Sequence, residues 1–163
     1  MLTAEQRRDY IQTIADLPDE LDRLVAPLSH QELTTQYIPD EWTVAQIVHH
    51  LVDMHTNSYL RLKAILTSDR PEMQILDQEN LAVWPDAKDG DIQYSMMILR
   101  GLHHRWVQTW NAMTDEQWQR IGLIRGTKEI TPDYLVEGYA NHCINHLNQI
   151  REVLDMKRHI EGR

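Results

Sequence analysis

The sequence predicts an all-α fold: a bundle of four long helices in which a long crossover joins the second helix to the third. Three observations lead there. Four separate stretches place apolar residues at the three- and four-residue spacing of a helix. Two of those stretches open on recognisable helix-start chemistry. Between the second and the third, residues 67 to about 90 carry Pro71, Pro85 and Gly90 and no sustained period. A link of that length carries a chain from one end of a bundle to the other, so the helices it joins run the same way.

The first helix is expected over residues 3 to about 26, where Tyr10, Ile14, Leu17, Leu21, Leu24 and Val25 share a face. Pro18 lies inside that run and predicts a kink, or two short helices in near-continuation. Pro27 and Pro39 bracket a loop with one turn at Ser29–Leu33. The second helix starts at Thr43, which forms a capping box with Gln46, and ends near Leu66. Its buried face is Val44, Ile47, Val48, Leu51, Met54, Leu62 and Ile65, and His50 flanks that stripe and can point inward. Leu76 and Trp84 are expected to pin the crossover to the bundle. The third helix runs from about Ile92 to Met113 with Asp91 as N-cap, its stripe being Met97, Ile98, Leu102, Trp106 and Trp110. Thr114–Trp118 reads as a capped turn and Gly122–Ile130 as a small hairpin around Gly126-Thr127. Thr131-Pro132 starts the last helix, with Thr as N-cap and Pro at the first helical position.

The chain has 163 residues, enough for one domain with a sizeable core, placed at 1–159. Residues 160–163, Ile-Glu-Gly-Arg, match the recognition sequence of a tag-removing protease and are set apart. The net charge of -9 disfavours nucleic acid and anionic membrane, which need clustered Lys and Arg. No apolar run approaches a membrane span. The single cysteine, Cys143, forbids an intrachain disulfide, and a cytoplasmic location is expected.

Histidine is the compositional oddity. Of nine, seven fall in three clusters: His49, His50 and His55; His103 and His104; His142 and His146. His142 and His146 are four apart, so both imidazoles lie on one helix face and can reach one ion. A third ligand must come from elsewhere, and the cluster on the second helix is the candidate. His49 and His50 differ by about 100° around that helix, and spacing alone leaves the choice between them open. Three imidazoles and an open position describe a catalytic rather than a structural site. They add no negative charge, so the ion acidifies a bound water or thiol. No Glu-x-x-His, His-Glu-x-x-His or Gly-rich phosphate loop occurs. Cys143 reads as a small buried apolar residue rather than a nucleophile. His103-His104 reads as core and surface rather than a cleft. Asp53 reads either as a hydrogen-bond partner of a ligating His or as a solvated position.

Four segments together carry a resemblance over roughly Ala4–Leu154. They are Glu41-Trp42-Thr43-Val44-Ala45-Gln46-Ile47-Val48-His49-His50-Leu51-Val52-Asp53-Met54-His55, Asn57–Lys63, Leu102-His103-His104-Arg105-Trp106, and Tyr139-Ala140-Asn141-His142-Cys143-Ile144-Asn145-His146. With these the chain resembles the DinB/YfiT-like family of small metalloproteins, in its YfiT branch. The resemblance implies a four-helix bundle of up-down-down-up order, usually a homodimer. It implies one divalent ion, zinc or nickel, held by three histidines. The family motif takes the second His of the pair, hence His50, with His142 and His146 as the other two. Family members are described as metal-dependent hydrolases, and related ones are S-transferases that join a low-molecular-weight thiol such as bacillithiol to an electrophile. The expected activity is therefore a metal-dependent thiol S-transferase. The alternatives are a hydrolase using a metal-activated water, or a stress-related binding module without catalysis. Two departures from the pattern, Asn145 where a further His is common and Ile124-Arg125-Gly126 where a His-Pro pair is common, touch substrate contacts rather than the three ligands.

Overall fold

The computed structural model describes residues 1–162. Seven α-helices form: α1 (Ala4–Val25), α2 (His30–Thr34), α3 (Val44–Thr67), α4 (Gln78–Leu81), α5 (Gln93–Asn111), α6 (Asp115–Trp118) and α7 (Pro132–Glu161). A 3-10 turn spans Asp86–Lys88, and strands β1 (Gly122–Ile124) and β2 (Lys128–Ile130) pair antiparallel. Local chemistry sets most helix starts. Thr3, Ser29, Thr43 and Thr114 each close a capping box with the Gln or Glu three residues on. Thr131 caps α7, with Pro132 in its first turn. Helix α7 runs on through Ile160 and Glu161 of the terminal tetrapeptide; its last residue, Arg163, lies outside the described residues.

The directions of the four long helices follow from their cross-links. Arg7 of α1 pairs with Asp133 at the start of α7, and Lys157 near the end of α7 pairs with Glu32 just beyond α1, so these two helices are parallel. Arg100 of α5 reaches back to Asp19 and Asp22 of α1, which makes that pair antiparallel. Ring partners His49–Ser95 and His55–His103 climb together along α3 and α5, whereas His50–His146 and His55–His142 run oppositely along α3 and α7. The order is up-down-down-up, a four-helix bundle in which α3 and α5 are parallel neighbours. One core joins all four, with Ile14, Leu17, Leu21, Ile47, Leu51, Leu62, Leu99, Trp106, Trp110, Leu135 and Ile150 buried in it.

The crossover between α3 and α5 returns along the whole length of α3, laced to it by hydrogen bonds. Arg61 donates to Gln74 O, Gln46 Nε2 donates to Ala82 O at 2.8 Å, and His49 Nε2 meets Asp89 O at 2.9 Å. Its first part is held by backbone: Leu123 N donates to Pro71 O and Met73 N to Leu123 O, alongside β1. The hairpin turns on Arg125 and Gly126, both at positive φ, the sign pattern that suits the twist of paired strands; it is centred one residue earlier than expected. Arg120 donates to Ile65 O and Ser68 O, taking up free carbonyls at the end of α3.

Four expectations are corrected. Helix α1 is one continuous element through Pro18 rather than two short helices. Proline removes one N–H and so frees the carbonyl four residues back, Ile14 O, and His103 Nδ1 of α5 approaches that oxygen at 2.6 Å. The apolar stripe of α5 is rotated: Met96, Leu99, His103, Trp106 and Trp110 are buried, while Met97 and Ile98 are half exposed. That helix also starts without a side-chain cap, at Ile92, although Asp91 Oδ1 accepts from Gln93 N. Trp84 is exposed and Leu76 only half-buried; Met73, Ala82 and Ala87 seat the crossover instead.

Candidate metal centre

The antiparallel contact of α3 with α7 brings the expected ligands together. His50 Nε2 and His142 Nε2 are 3.2 Å apart, and His146 Nε2 is 3.2 Å from His142 Nε2. Among the described residues these three form the one group of His, Cys, Asp or Glu side chains with the spacing to hold an ion, their ligand atoms all within 4.8 Å of one another. A tetrahedral ion with metal–nitrogen bonds of about 2.0–2.1 Å has ligand–ligand edges of about 3.3 Å, which the two 3.2 Å separations match.

The electrostatics agree with the geometry. Burial lowers His50 to about 4, with a further push from His146, and lowers His142 to about 3, with His146 and His50 adding to it. His146 is lowered by burial, against a hydrogen bond to Gln149 that acts the other way. All three rings are therefore neutral at pH 7 and carry lone pairs. The tautomer of His146 is set by Gln149, whose Oε1 only accepts and lies 2.8 Å from Nδ1. Its Nε2 is consequently a lone pair, aimed at His142. Glu41 holds the Gln149 amide the right way round, accepting from Nε2 at 3.5 Å.

Aromatic rings pack against the triad, and a cleft lies beside it. The Trp42 ring lies 4.7 Å from His50 and stacks at 6.4 Å against His146. Tyr139 packs 5.4 Å from His142. Beside His146 opens a polar cleft of about 320 Å³ lined by Asp40, Glu41, Trp42, Gln78, Glu79 and Gln149.

The remaining singled-out residues fall elsewhere. His49 points away from the triad and ties α3 to Ser95 Oγ at 2.7 Å and to Asp89 O. Cys143 is fully buried, and burial pushes its thiol up, away from thiolate. Asp53 makes no hydrogen bond to the triad; burial and Asp86 raise it, and His49 opposes them. His104 is exposed. Four residues were not singled out for this site: Trp42, Gln149, and the buried pair His55 and His103, whose rings meet at 2.8 Å. His55 Nε2 touches His142 Nδ1 at 3.0 Å. The sequence signals for this pair were membership of the histidine clusters, His55 one turn beyond His50 and His103 one turn before Trp106.

The four-helix bundle thus sets three neutral imidazoles, with the spacing to hold one metal ion, beside a polar cleft. The chain belongs to the DinB superfamily, whose family model matches residues 7–150. A relative in Geobacillus thermodenitrificans (strain NG80-2), named "Putative metal-dependent hydrolase", is 37% identical over 155 residues, covering 94% of this chain and 87% of its own. "Putative metal-dependent hydrolase YfiT" of Bacillus subtilis (strain 168) is 34% identical over 153 residues, covering 93% of this chain and 86% of its own. The solved structure of Bacillus subtilis YfiT, described as a probable metal-dependent hydrolase with an unusual four-helix bundle topology, superposes with a TM-score of 0.90 at 31% identity, over 99% of this chain and 91% of that one. No helix among the described residues is long and apolar enough to cross a membrane.

Proposed function

We propose that this protein is a metal-dependent S-transferase: His50, His142 and His146 hold one divalent ion, zinc or nickel, and a low-molecular-weight thiol is joined to a small electrophile beside it. Bound there, a divalent ion acts as a Lewis acid that raises the acidity of the thiol or water it takes up. The observation that carries the thiol reading is the make-up of the triad, three imidazoles with no carboxylate among them. With no carboxylate ligand to offset it, the full charge of the ion favours an anionic partner, thiolate or hydroxide. A thiol needs less help, because its ordinary pKa of about 8.5 lies far closer to neutrality than the 15.7 of water. In the transfer, sulfur forms the new bond to the electrophilic carbon, the leaving group departs with its electron pair, and the thiol proton passes to solvent.

The chain's own residues supply binding and orientation. Gln149 and Glu41 hold His146 with Nε2 free. Trp42 shields one side of the triad from water. Asp40, Glu41 and Glu79 in the cleft suit a hydrophilic thiol carrying an ammonium group. The names of the relatives favour a second reading, hydrolysis of an amide or ester by an activated water at the same triad. Metal-loaded protein assayed against a panel of thiols with halogenated electrophiles, and against esters and amides, separates the two. Conjugation with at least one thiol is expected; ester or amide cleavage without any conjugation refutes the transferase reading. Folded protein that takes up no divalent ion refutes both and leaves a binding module. We propose further that the protein is a homodimer, a reading supported by the exposed apolar residues Tyr94, Met97 and Ile98 on α5.

A further inference from the structure

A chain of close contacts runs from the triad through the bundle to the far helix. His142 Nδ1 meets His55 Nε2 at 3.0 Å, His55 Nδ1 meets His103 Nε2 at 2.8 Å, and His103 Nδ1 meets Ile14 O at 2.6 Å. His55 and His103 are buried, and the chain ends on a group of one kind only. A carbonyl oxygen accepts and never donates. His103 Nδ1 therefore carries a hydrogen, and in the neutral ring His103 Nε2 is a lone pair. That lone pair requires a hydrogen on His55 Nδ1, which leaves His55 Nε2 as a lone pair. The same step requires a hydrogen on His142 Nδ1. His142 Nε2 is then the lone pair, and it points at His50 and His146. The carbonyl at the far end is free because Pro18, four residues on, has no N–H to give it.

We infer that Pro18, His103 and His55 form a relay of hydrogen bonds that fixes the tautomer of His142, presenting its Nε2 to the ion. His55 and His103 are positioning residues, acting on the centre only through His142. Metal-ligating histidines ordinarily donate their second nitrogen to a carboxylate, a carbonyl or water. Here the carbonyl is reached through two further imidazoles, so the signal crosses from α7 to α3 to α5 to α1. The inference rests on reading the triad as a metal centre, but the tautomers exist without the ion and are measured without it.

The test is two-bond proton–nitrogen correlation NMR on metal-free, ¹⁵N-labelled protein at neutral pH, paired with cobalt(II) affinity from chelator competition. In the wild type His103, His55 and His142 are expected as Nδ1–H tautomers. His103→Leu removes the acceptor for His55 Nδ1–H. His55 then donates through Nε2, His142 turns to Nε2–H, and cobalt affinity falls by about 10–100-fold, the range for loss of such a partner. His103→Gln carries both a donor for Ile14 O and an acceptor for His55, and is expected to keep the wild-type tautomer and affinity. A merely packing role for His103 would alter stability in the Leu variant and leave the His142 tautomer in place. An Nε2–H His142 in the wild type overturns the relay, as does an Nδ1–H His142 in folded His103→Leu. If the Leu variant does not fold, the wild-type tautomer and His103→Gln decide. Failure of the wild type to bind cobalt refutes the metal reading of the triad, while the tautomers still decide the relay.

Discussion

Acidification from about pH 7.5 to about 5.5 is predicted to weaken divalent-ion binding by less than about tenfold, beyond any change in the competing chelator. Binding requires neutral imidazoles, so protonation competes with the ion. Three ordinary imidazoles with pKa about 6.5 would each lose roughly tenfold at pH 5.5, together roughly a thousandfold. The sequence alone leads to that steeper expectation. In the structure His50 is lowered to about 4 and His142 to about 3, chiefly by burial. Neither is appreciably protonated at pH 5.5. His146 is lowered as well, so its contribution stays below the roughly tenfold of a free imidazole. The assay is competition with a chromogenic chelator of known protonation constants, read at half-unit steps. A fall approaching a thousandfold would show that the rings titrate like exposed histidines, and the burial argument would fail. The same shifts fix the sign for the metal-free protein. Its buried histidines bind protons only after unfolding, so stability is fully present above about pH 6.5 and is lost as pH falls toward the lowered folded values near 4 and 3.

Replacing His50, His142 or His146 with Ala should each abolish stoichiometric metal after dialysis. His49→Ala should keep it, because His49 faces Ser95 and Asp89; elemental analysis of the four variants checks this. Asp133→Ala should cost roughly 3 kcal/mol, the low end for stripping one partner from a buried pair, and lower the melting temperature by roughly 6–12 °C in calorimetry. Asp133 accepts from Arg7 Nε at 2.7 Å, from Arg7 Nη2 and from Leu2 N. Burial pushes its carboxyl up but these bonds win and lower it. That contribution is therefore present above the ordinary carboxylate range near 4 and lost as pH falls through the lower folded value. Sedimentation equilibrium at micromolar concentration should give twice the chain mass of 19.3 kDa; the monomer mass would refute the dimer.

What the sequence made legible was what local chemistry decides. The capping box at Thr43 and the N-cap Thr131 with Pro132 after it marked helix starts correctly because their partners lie within one turn. The His142–His146 pair was readable for the same reason. The register of α5 was not. Met96, Met97, Ile98 and Leu99 are consecutive apolar residues, so the pattern allowed two faces, and only packing against α1 and α3 chose Met96 and Leu99. Pro18 does not divide α1 into two helices, and the rule for proline counts only bonds inside one helix. The free carbonyl is satisfied by a residue 89 positions away, which no window of sequence contains. His103 was read as core, which it is, but its contacts with His55 and Ile14 O lie beyond any such window for the same reason.

The crossover is what lets the relay close. In an up-down-up-down bundle with short links α5 would run against α3, and their residues would rise past one another in opposite directions. The long return along α3 makes them parallel, so the offset between partners barely changes, 46 positions for His49–Ser95 and 48 for His55–His103. Antiparallel α7 then meets α3 at two levels, His146 opposite His50 and His142 opposite His55. The levels are four residues apart on α7 and five on α3, about 6 and 7.5 Å of rise, near enough for His142 to touch both. A one-residue slip of α5 would turn His103 by about 100° away from Ile14 O. Gln46, His49 and Arg61, which lace the crossover to α3, therefore bear on the tautomer of His142 on α7.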